Sequence, residues 1–261
     1  YNSDGSANTD NTAGLYVGGR ASTCVNSITG VKIEGGQINT VVGGYGYNGS
    51  TTTNSTYIGM SGGAVRSIYG GAGHSTTKGN RIINVTGGTV QFGVLGGSDS
   101  NSTTDTSDGV VQGSTLVYVG GTVIVGDGTN NTLYGVESGS VYGAGGGRSG
   151  YDAKGTVYNS HVIINGGTIR RSVYGGGNYG STGTQYAGTS STVIDILKGN
   201  IGEVYGGSKA AGFSQNNYKG SSTIDINMSG GTVGYIYGGS NEQGIVYGSV
   251  SVFIYLFIEF V

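Results

Sequence analysis

Proline and tryptophan are absent from this chain of 261 residues, cysteine occurs once, at Cys24, and charged residues make up only 10% of the sequence. Each shortage closes off a class of protein. Without proline, the 58 glycines do not belong to a collagen-like triple helix, which needs glycine at every third position and a heavy proline load. A lone cysteine allows neither an intramolecular disulfide nor a cysteine-based metal cluster, so Cys24 reads as a small buried apolar residue. The 12 Lys and Arg are spread along the chain and offset by 14 Asp and Glu, which supplies no basic field for phosphates and argues against a nucleic-acid partner. No apolar run reaches the roughly 20 residues of a membrane-spanning helix. Position 1 is Tyr rather than Met, the expectation being a chain that begins inside a longer product or after a cleaved leader.

What is present points to strands. Disordered chains are poor in aromatic and β-branched residues and carry high net charge, whereas this one is rich in Val, Ile and Thr, has 20 Tyr, and a net charge of −2. Those residue types suit a pleated, half-buried surface, so an all-β fold with almost no helix is expected.

One signature recurs: an aliphatic residue or tyrosine followed by glycine, at Val17, Val42, Tyr69, Leu95, Tyr142, Tyr174, Tyr205 and Tyr237, with intervals of 25, 27, 26, 47, 32, 31 and 32 residues. A second glycine pair precedes most copies, at Gly35-Gly36, Gly62-Gly63, Gly87-Gly88, Gly166-Gly167 and Gly230-Gly231, reduced to Lys198-Gly199 in one. Two positions after it stands a β-branched residue (Ile38, Val65, Val90, Ile169, Ile201, Val233), and two before it another apolar one (Ile33, Met60, Val85, Ile164, Ile196, Met228). Each copy therefore reads as apolar strand, glycine corner, short strand, glycine corner and polar loop. Such a unit buries too little to offset its own ordering entropy, but stacked copies turn each apolar position into a shared interior column. The expected architecture is a single-stranded parallel β-helix, a β-solenoid, with about seven coils of 25–32 residues spanning 1–249. The 47-residue interval reads as one coil enlarged by a loop at Ser98 to Gly113 and an insertion near Gly126 to Asn131. Residues 250–261, Val-Ser-Val-Phe-Ile-Tyr-Leu-Phe-Ile-Glu-Phe-Val, stand apart as a hydrophobic strand: a cap, a contact strand or a truncated element.

The segment Gly166 to Gly177, Gly-Gly-Thr-Ile-Arg-Arg-Ser-Val-Tyr-Gly-Gly-Gly, with its relatives at Gly230 to Gly239 and Gly62 to Gly71, resembles the glycine-rich repeats of large adhesin-like surface proteins of anaerobic bacteria and archaea. The resemblance covers about Gly14 to Gly248. It implies a right-handed parallel β-helix, exported and displayed at the cell surface, with no cofactor and no catalytic motif.

Reactive constellations are sparse. Parallel β-helices also carry polysaccharide lyases and glycosidases, whose chemistry wants converging carboxylates. Asp195 and Asp225 lie 30 residues apart, near one coil length, but two residues out of register with the repeat; His161, Arg170 and Arg171 flank one glycine corner without a nucleophile at a defined spacing, and His74 falls in a polar loop. Asp99, Asn101, Asp105 and Asp108 share one loop and offer the hard oxygens calcium prefers, in a spacing that matches neither the EF-hand nor the glycine-aspartate nonapeptide repeat. Tyr69, Tyr142, Tyr174, Tyr205 and Tyr237 share one column with Val17, Val42 and Leu95. Stacked, they form either a buried ladder or an exposed aromatic strip suited to sugars or another subunit. The expected function is a structural or adhesive extracellular protein presenting a rigid surface to carbohydrate, a host surface or neighbouring subunits; a carbohydrate-active enzyme and a self-assembling filament subunit are the alternatives.

Overall fold

A computed structural model of the chain describes residues 14–17, 28–44, 55–73, 76–99, 109–133, 135–147, 155–180, 182, 189–210, 221–242, 246 and 248–255. Its elements are β1 (Gly14–Tyr16), β2 (Thr29–Ile33), β3 (Gln37–Val42), β4 (Thr56–Met60), β5 (Ala64–Tyr69), β6 (Thr77–Lys78), β7 (Arg81–Val85), β8 (Thr89–Leu95), β9 (Val111–Val125), β10 (Thr132–Leu133), β11 (Val136–Glu137), β12 (Ser140–Tyr142), β13 (Val157–Tyr174), β14 (Thr189–Tyr205), β15 (Ser221–Met228), β16 (Thr232–Tyr237) and β17 (Val250–Ile254). The described residues contain no helix, as the composition implies. Every pairing is parallel except the β10–β11 hairpin.

The strands form two long walls. The first runs β2, β4, β7, β9, β13, β14, β15 and β17, and the second β1, β3, β5, β8, β12, β13, β14 and β16. The long strands β9, β13 and β14 pass through a glycine corner and belong to both, which closes β8, β9, β13 and β12 into a four-strand parallel ring with the remaining strands added on either side. A short third side pairs Thr77 and Val157 with Val111.

Register explains the periodicity of the sequence. In the first wall Val31, Ile58, Ile83, Val117, Val162, Ile194, Ile226 and Val252 pair in succession, and so do Ile33, Met60, Val85, Val119, Ile164, Ile196, Met228 and Ile254. In the second wall Ile38, Val65, Val90, Val125, Ile169, Ile201 and Val233 pair in the same way. These columns meet in one apolar core, in which Ile58, Ile83, Val117, Ile164 and Ile194 are fully buried. β17, inside the segment that the sequence sets apart, extends the first wall by pairing with β15.

The two glycine corners need glycine for different reasons. At the first, Gly88 has φ +79°, a left-handed conformation that a β-carbon disfavours. At the second no positive φ is required; a β-carbon on Gly143 would instead overlap the carbonyl oxygen of Gly175 in the next segment, and the same clash is set up between Gly70 and Gly96 and between Gly206 and Gly238. The second corner's inward carbonyls also need donors, and a buried hydroxyl column supplies them: Thr56 donates to Gly70 at 3.0 Å and Ser160 to Gly175 at 2.6 Å, with Thr115 bonded likewise to Gly143. Arg81 occupies this column between Thr56 and Thr115. It is fully buried, its Nη2 donates to the Lys78 carbonyl at 2.5 Å, and burial lowers its pKa to about 10, so it remains charged at neutral pH.

The loop expected at Ser98 to Gly113 lies largely outside the described residues and gives way to β9 at Val111, and the insertion expected near Gly126 to Asn131 extends to Gly139. Val125 pairs with Val90, Ser140 pairs with Gly93, and the chain between them leaves the second wall as an insertion carrying β10 and β11. Asp127 organises its base, accepting from Ser138 Oγ (2.7 Å), Gln91 Nε2 (2.9 Å) and Thr129 N (2.9 Å). Burial raises its pKa, but these bonds outweigh that and hold the carboxyl far below the usual range.

Candidate functional site

The tyrosine column follows from strand alternation. Ile68, Val94, Val141, Val173 and Val204 point into the core, so the next residue in each strand, Tyr69, Leu95, Tyr142, Tyr174 and Tyr205, points to the opposite face of the second wall. There the insertion covers it: Val136 and Leu133, joined by Phe92 of β8, pack on the column as a second apolar cluster. Tyr142, Tyr174, Tyr205 and Tyr237 stack face to face with centroids 4.9, 5.1 and 4.8 Å apart and planes within 12° of parallel.

Burial grades along the stack. Tyr69, Tyr142, Tyr174 and Tyr205 are buried, while Tyr237 is 44% exposed and its neighbour Tyr235 64%. Four of the five rings proposed as a ligand strip therefore have no face open to a ligand, and an accessible aromatic surface survives only at the Tyr235–Tyr237 end, where the two rings lie 6.3 Å apart. Ionisation is suppressed accordingly. Burial lifts Tyr142 well above the ordinary phenol value, with the nearby Tyr174 and Glu137 adding to it; burial lifts Tyr174 to about 12; Tyr205 is raised by burial and by Glu203, to whose Oε2 its hydroxyl donates at 3.0 Å.

A charged cluster lies beside this column. Glu137 Oε1, at the end of the insertion, is 3.1 Å from Arg171 Nη1 and 3.5 Å from Lys209 Nζ, and Lys209 also reaches Glu242 Oε1 at 3.5 Å. The Lys209 side chain is only 8% exposed, its ammonium is paired with these two carboxylates, and it also stands 5.9 Å from the Tyr179 ring. Asn241 Nδ2 donates to Tyr174 Oη at 3.1 Å. Asn178 is fully buried, and its side-chain amide has no hydrogen-bond partner among the described residues. The cluster binds the insertion to the wall.

The other candidate residues are dispersed. His161 lies on the outer face of the first wall with Nε2 2.7 Å from Asp195 Oδ2, and Asp195 Oδ1 accepts from Asn227 Nδ2 at 2.9 Å. Arg171 lies in the second wall and turns to Glu137, so the arginines flanking the corner do not join His161. Asp195 pairs with Asn227 and Asp225 with Val193, an offset of two residues that keeps the carboxylates out of line. Asp99 is half-buried and its backbone N donates to the Ala72 carbonyl; Asn101, Asp105 and Asp108, with Cys24 and His74, lie outside the described residues. Among the described residues no three His, Cys, Asp or Glu side chains group as metal ligands would, and no helix is long and apolar enough to cross a membrane.

Sequence reasoning missed the Lys209 cluster, although a signal exists: Asn178, Lys209 and Asn241 each stand three residues after the first glycine of a second corner, at Gly175, Gly206 and Gly238. No protein-family model matches the chain, and no curated protein or solved structure matches it either.

Proposed function

We propose that the chain is a parallel β-solenoid and that it works as a structural or adhesive protein outside the cell, presenting a rigid wall to carbohydrate, a host surface or neighbouring subunits. One observation carries this reading: the inner columns run without a gap from Val31 to Val252 and from Ile33 to Ile254, so each segment is held by the one before and the one after. Such a stack is stiff, because every layer's apolar side chains fill against two neighbours. Its outward residues then repeat at strand spacing, about 4.8 Å, which is a template for an extended ligand. Right-handed winding is favoured by the general handedness of parallel crossover connections. The likeness to adhesin-like repeats supports extracellular display.

A glycan-array screen with the whole chain, run beside a variant lacking most of Ser98 to Gly113, tests the adhesive reading. Retention on surface glycans without turnover supports it; release of new reducing ends from a bound polysaccharide would favour the enzyme instead. A second reading, self-assembly, has its own observation: Val252 (43% exposed) and Ile254 (54%) occupy inward columns yet stand uncovered, beside Phe253 (50%) and Tyr255 (57%). Light scattering over a concentration series decides it, since a monomer mass at every concentration excludes the filament.

A further inference from the structure

On the outer face of the first wall, Tyr57 and Gly59 in β4, Ile82 and Asn84 in β7, Leu116 and Tyr118 in β9, and His161 and Ile163 in β13 lie in paired rows. Both tyrosines are followed two positions later, on the same face, by glycine: Gly59 and Gly120. That spacing matters. A β-carbon built on Gly59 would sit 3.0 Å from both Cε1 and Oη of Tyr57, and one on Gly120 would sit 2.7 Å from Cε1 and 3.0 Å from Oη of Tyr118. Each phenol therefore lies down along its strand across the bare glycine instead of standing out into solvent. The far ends are tied: Asn84 Nδ2 donates to Tyr57 Oη at 3.4 Å, and Asn165 Nδ2 donates to Tyr118 Oη at 2.9 Å. These are rings fixed at both ends, with little rotamer freedom left to lose on binding.

We propose that this face binds a neutral β-linked polysaccharide, with Tyr57 and Tyr118 as its stacking platforms. Two strand steps and two residues separate the rings, roughly 11–12 Å at ordinary sheet spacing, which is of the order of a disaccharide in an extended chain. The aromatic surface is apolar with a wet hydroxyl end, matching a pyranose ring, whose C–H face is apolar and whose rim is polar. Asn84, Asn165 and the hydrogen-bonded line His161, Asp195 and Asn227 provide donors and acceptors for that rim. The outward positions of β4, β7, β9, β13, β14 and β15 in these rows hold no Lys or Arg, and the single cation that β2 adds, Lys32 paired with Gly59, is offset by Asp195 and Asp225, so the face carries no basic field of the kind that nucleic acid, acidic glycans or anionic lipid would need. The pairing from β4 through β7 to β9 has no bulge, so this part of the wall is regular.

The proposal rests on the adhesive reading but can fail separately from it. Affinity electrophoresis of the full chain through gels holding hydroxyethyl cellulose, mixed-linkage β-glucan or xylan is the assay. The parent is expected to be retarded by at least one of them, with Tyr57→Ala and Tyr118→Ala each weakening binding several-fold and the double variant weakening it at least about tenfold. Gly59→Ala and Gly120→Ala, which push the rings off the wall, are expected to weaken binding as well, whereas Tyr118→Phe keeps most of it. Circular dichroism and thermal melts confirm that each variant is folded. Tyr235→Ala, at the exposed end of the other wall, is expected to bind as the parent does. Retardation unchanged in the double variant, or lost in Tyr235→Ala, would overturn the platform while leaving adhesion standing; a parent that passes all three gels unretarded would overturn the ligand class, and the glycan array then judges adhesion by itself.

Discussion

Ile163 and Ile164 are adjacent, chemically identical and in the same strand, yet they face opposite ways. Ile164 is fully buried and sits in line with Val119 and Ile196, while Ile163 is half-buried on the outside between Tyr118 and Asp195. Truncation to alanine removes the same atoms and the same β-branch at both positions, so the loss of strand preference cancels in the comparison. What remains is the dry column. Ile164→Ala empties a site flanked by two layers that cannot close on it, a cost of about 2–5 kcal/mol; Ile163→Ala, whose neighbours and water can adjust, is expected to cost about 1 kcal/mol or less. Equilibrium urea unfolding followed by far-ultraviolet circular dichroism and tyrosine fluorescence gives both numbers. The transition to compare is the one that melts β9, β13 and β14, since layers in a stack support only their neighbours. Equal destabilisation by the two substitutions would refute the assignment of an inward and an outward face.

Other perturbations separate the remaining forces. Gly36 has φ +81° but open space around it, so Gly36→Ala is expected to cost only the left-handed penalty of about 1–2 kcal/mol, whereas Gly143→Ala must push back the Gly175 backbone and should lower the melting temperature more; the reverse order would deny the close approach. Tyr142 and Tyr174 are raised above the phenol value of 10, the latter to about 12, and the sign follows: the unfolded chain releases these protons first, so stability is intact below pH 10 and falls as pH rises through 10 towards 12, by about 1.4 kcal/mol per pH unit for each ring. Phenolate absorbance that shows every tyrosine titrating together near pH 10 in the folded protein would contradict it. Glu137→Gln leaves buried Lys209 with Glu242 alone and Arg171 with only its hydrogen bond to Asn130 Oδ1, a loss of roughly 1–3 kcal/mol in unfolding free energy; a double-mutant cycle with Lys209→Met showing no coupling would rule the contact out.

Much of the framework is legible in the residues because the columns recur at fixed distance from glycine. Ile33, Met60 and Val85, or Ile38, Val65 and Val90, can be aligned by eye, and the strand pairs fall where that alignment places them. Val125 escapes this alignment because it stands four positions after Gly121 where the other copies have two, and Val250 to Ile254 escape it because no glycine pair follows them and only their alternation matches Ile224 to Met228. The tyrosines show their column but not their burial, which depends on an insertion folding back so that Leu133 and Val136 cover them. The hydroxyl column with Arg81 within it joins residues from separate segments and nothing local marks it, while the Lys209 contacts show in the sequence only as the repeat position that Asn178, Lys209 and Asn241 share. Tyr57-x-Gly59 and Tyr118-x-Gly120 were visible as patterns, but their meaning needs the knowledge that positions two apart share a face.

Engineered crosslinks test the layered pairing most directly. With Cys24 replaced by serine, Ile163→Cys and Asp195→Cys occupy directly paired outward positions on adjacent strands, within the Cα separation of about 4.4–6.8 Å that a disulfide spans, whereas Ile163→Cys and Asp225→Cys lie two strands apart and offset by two residues. The account predicts that mild oxidation closes the first pair within the monomer and leaves the second as free thiols. Closure of the second pair, or failure of the first in a folded protein, would contradict it.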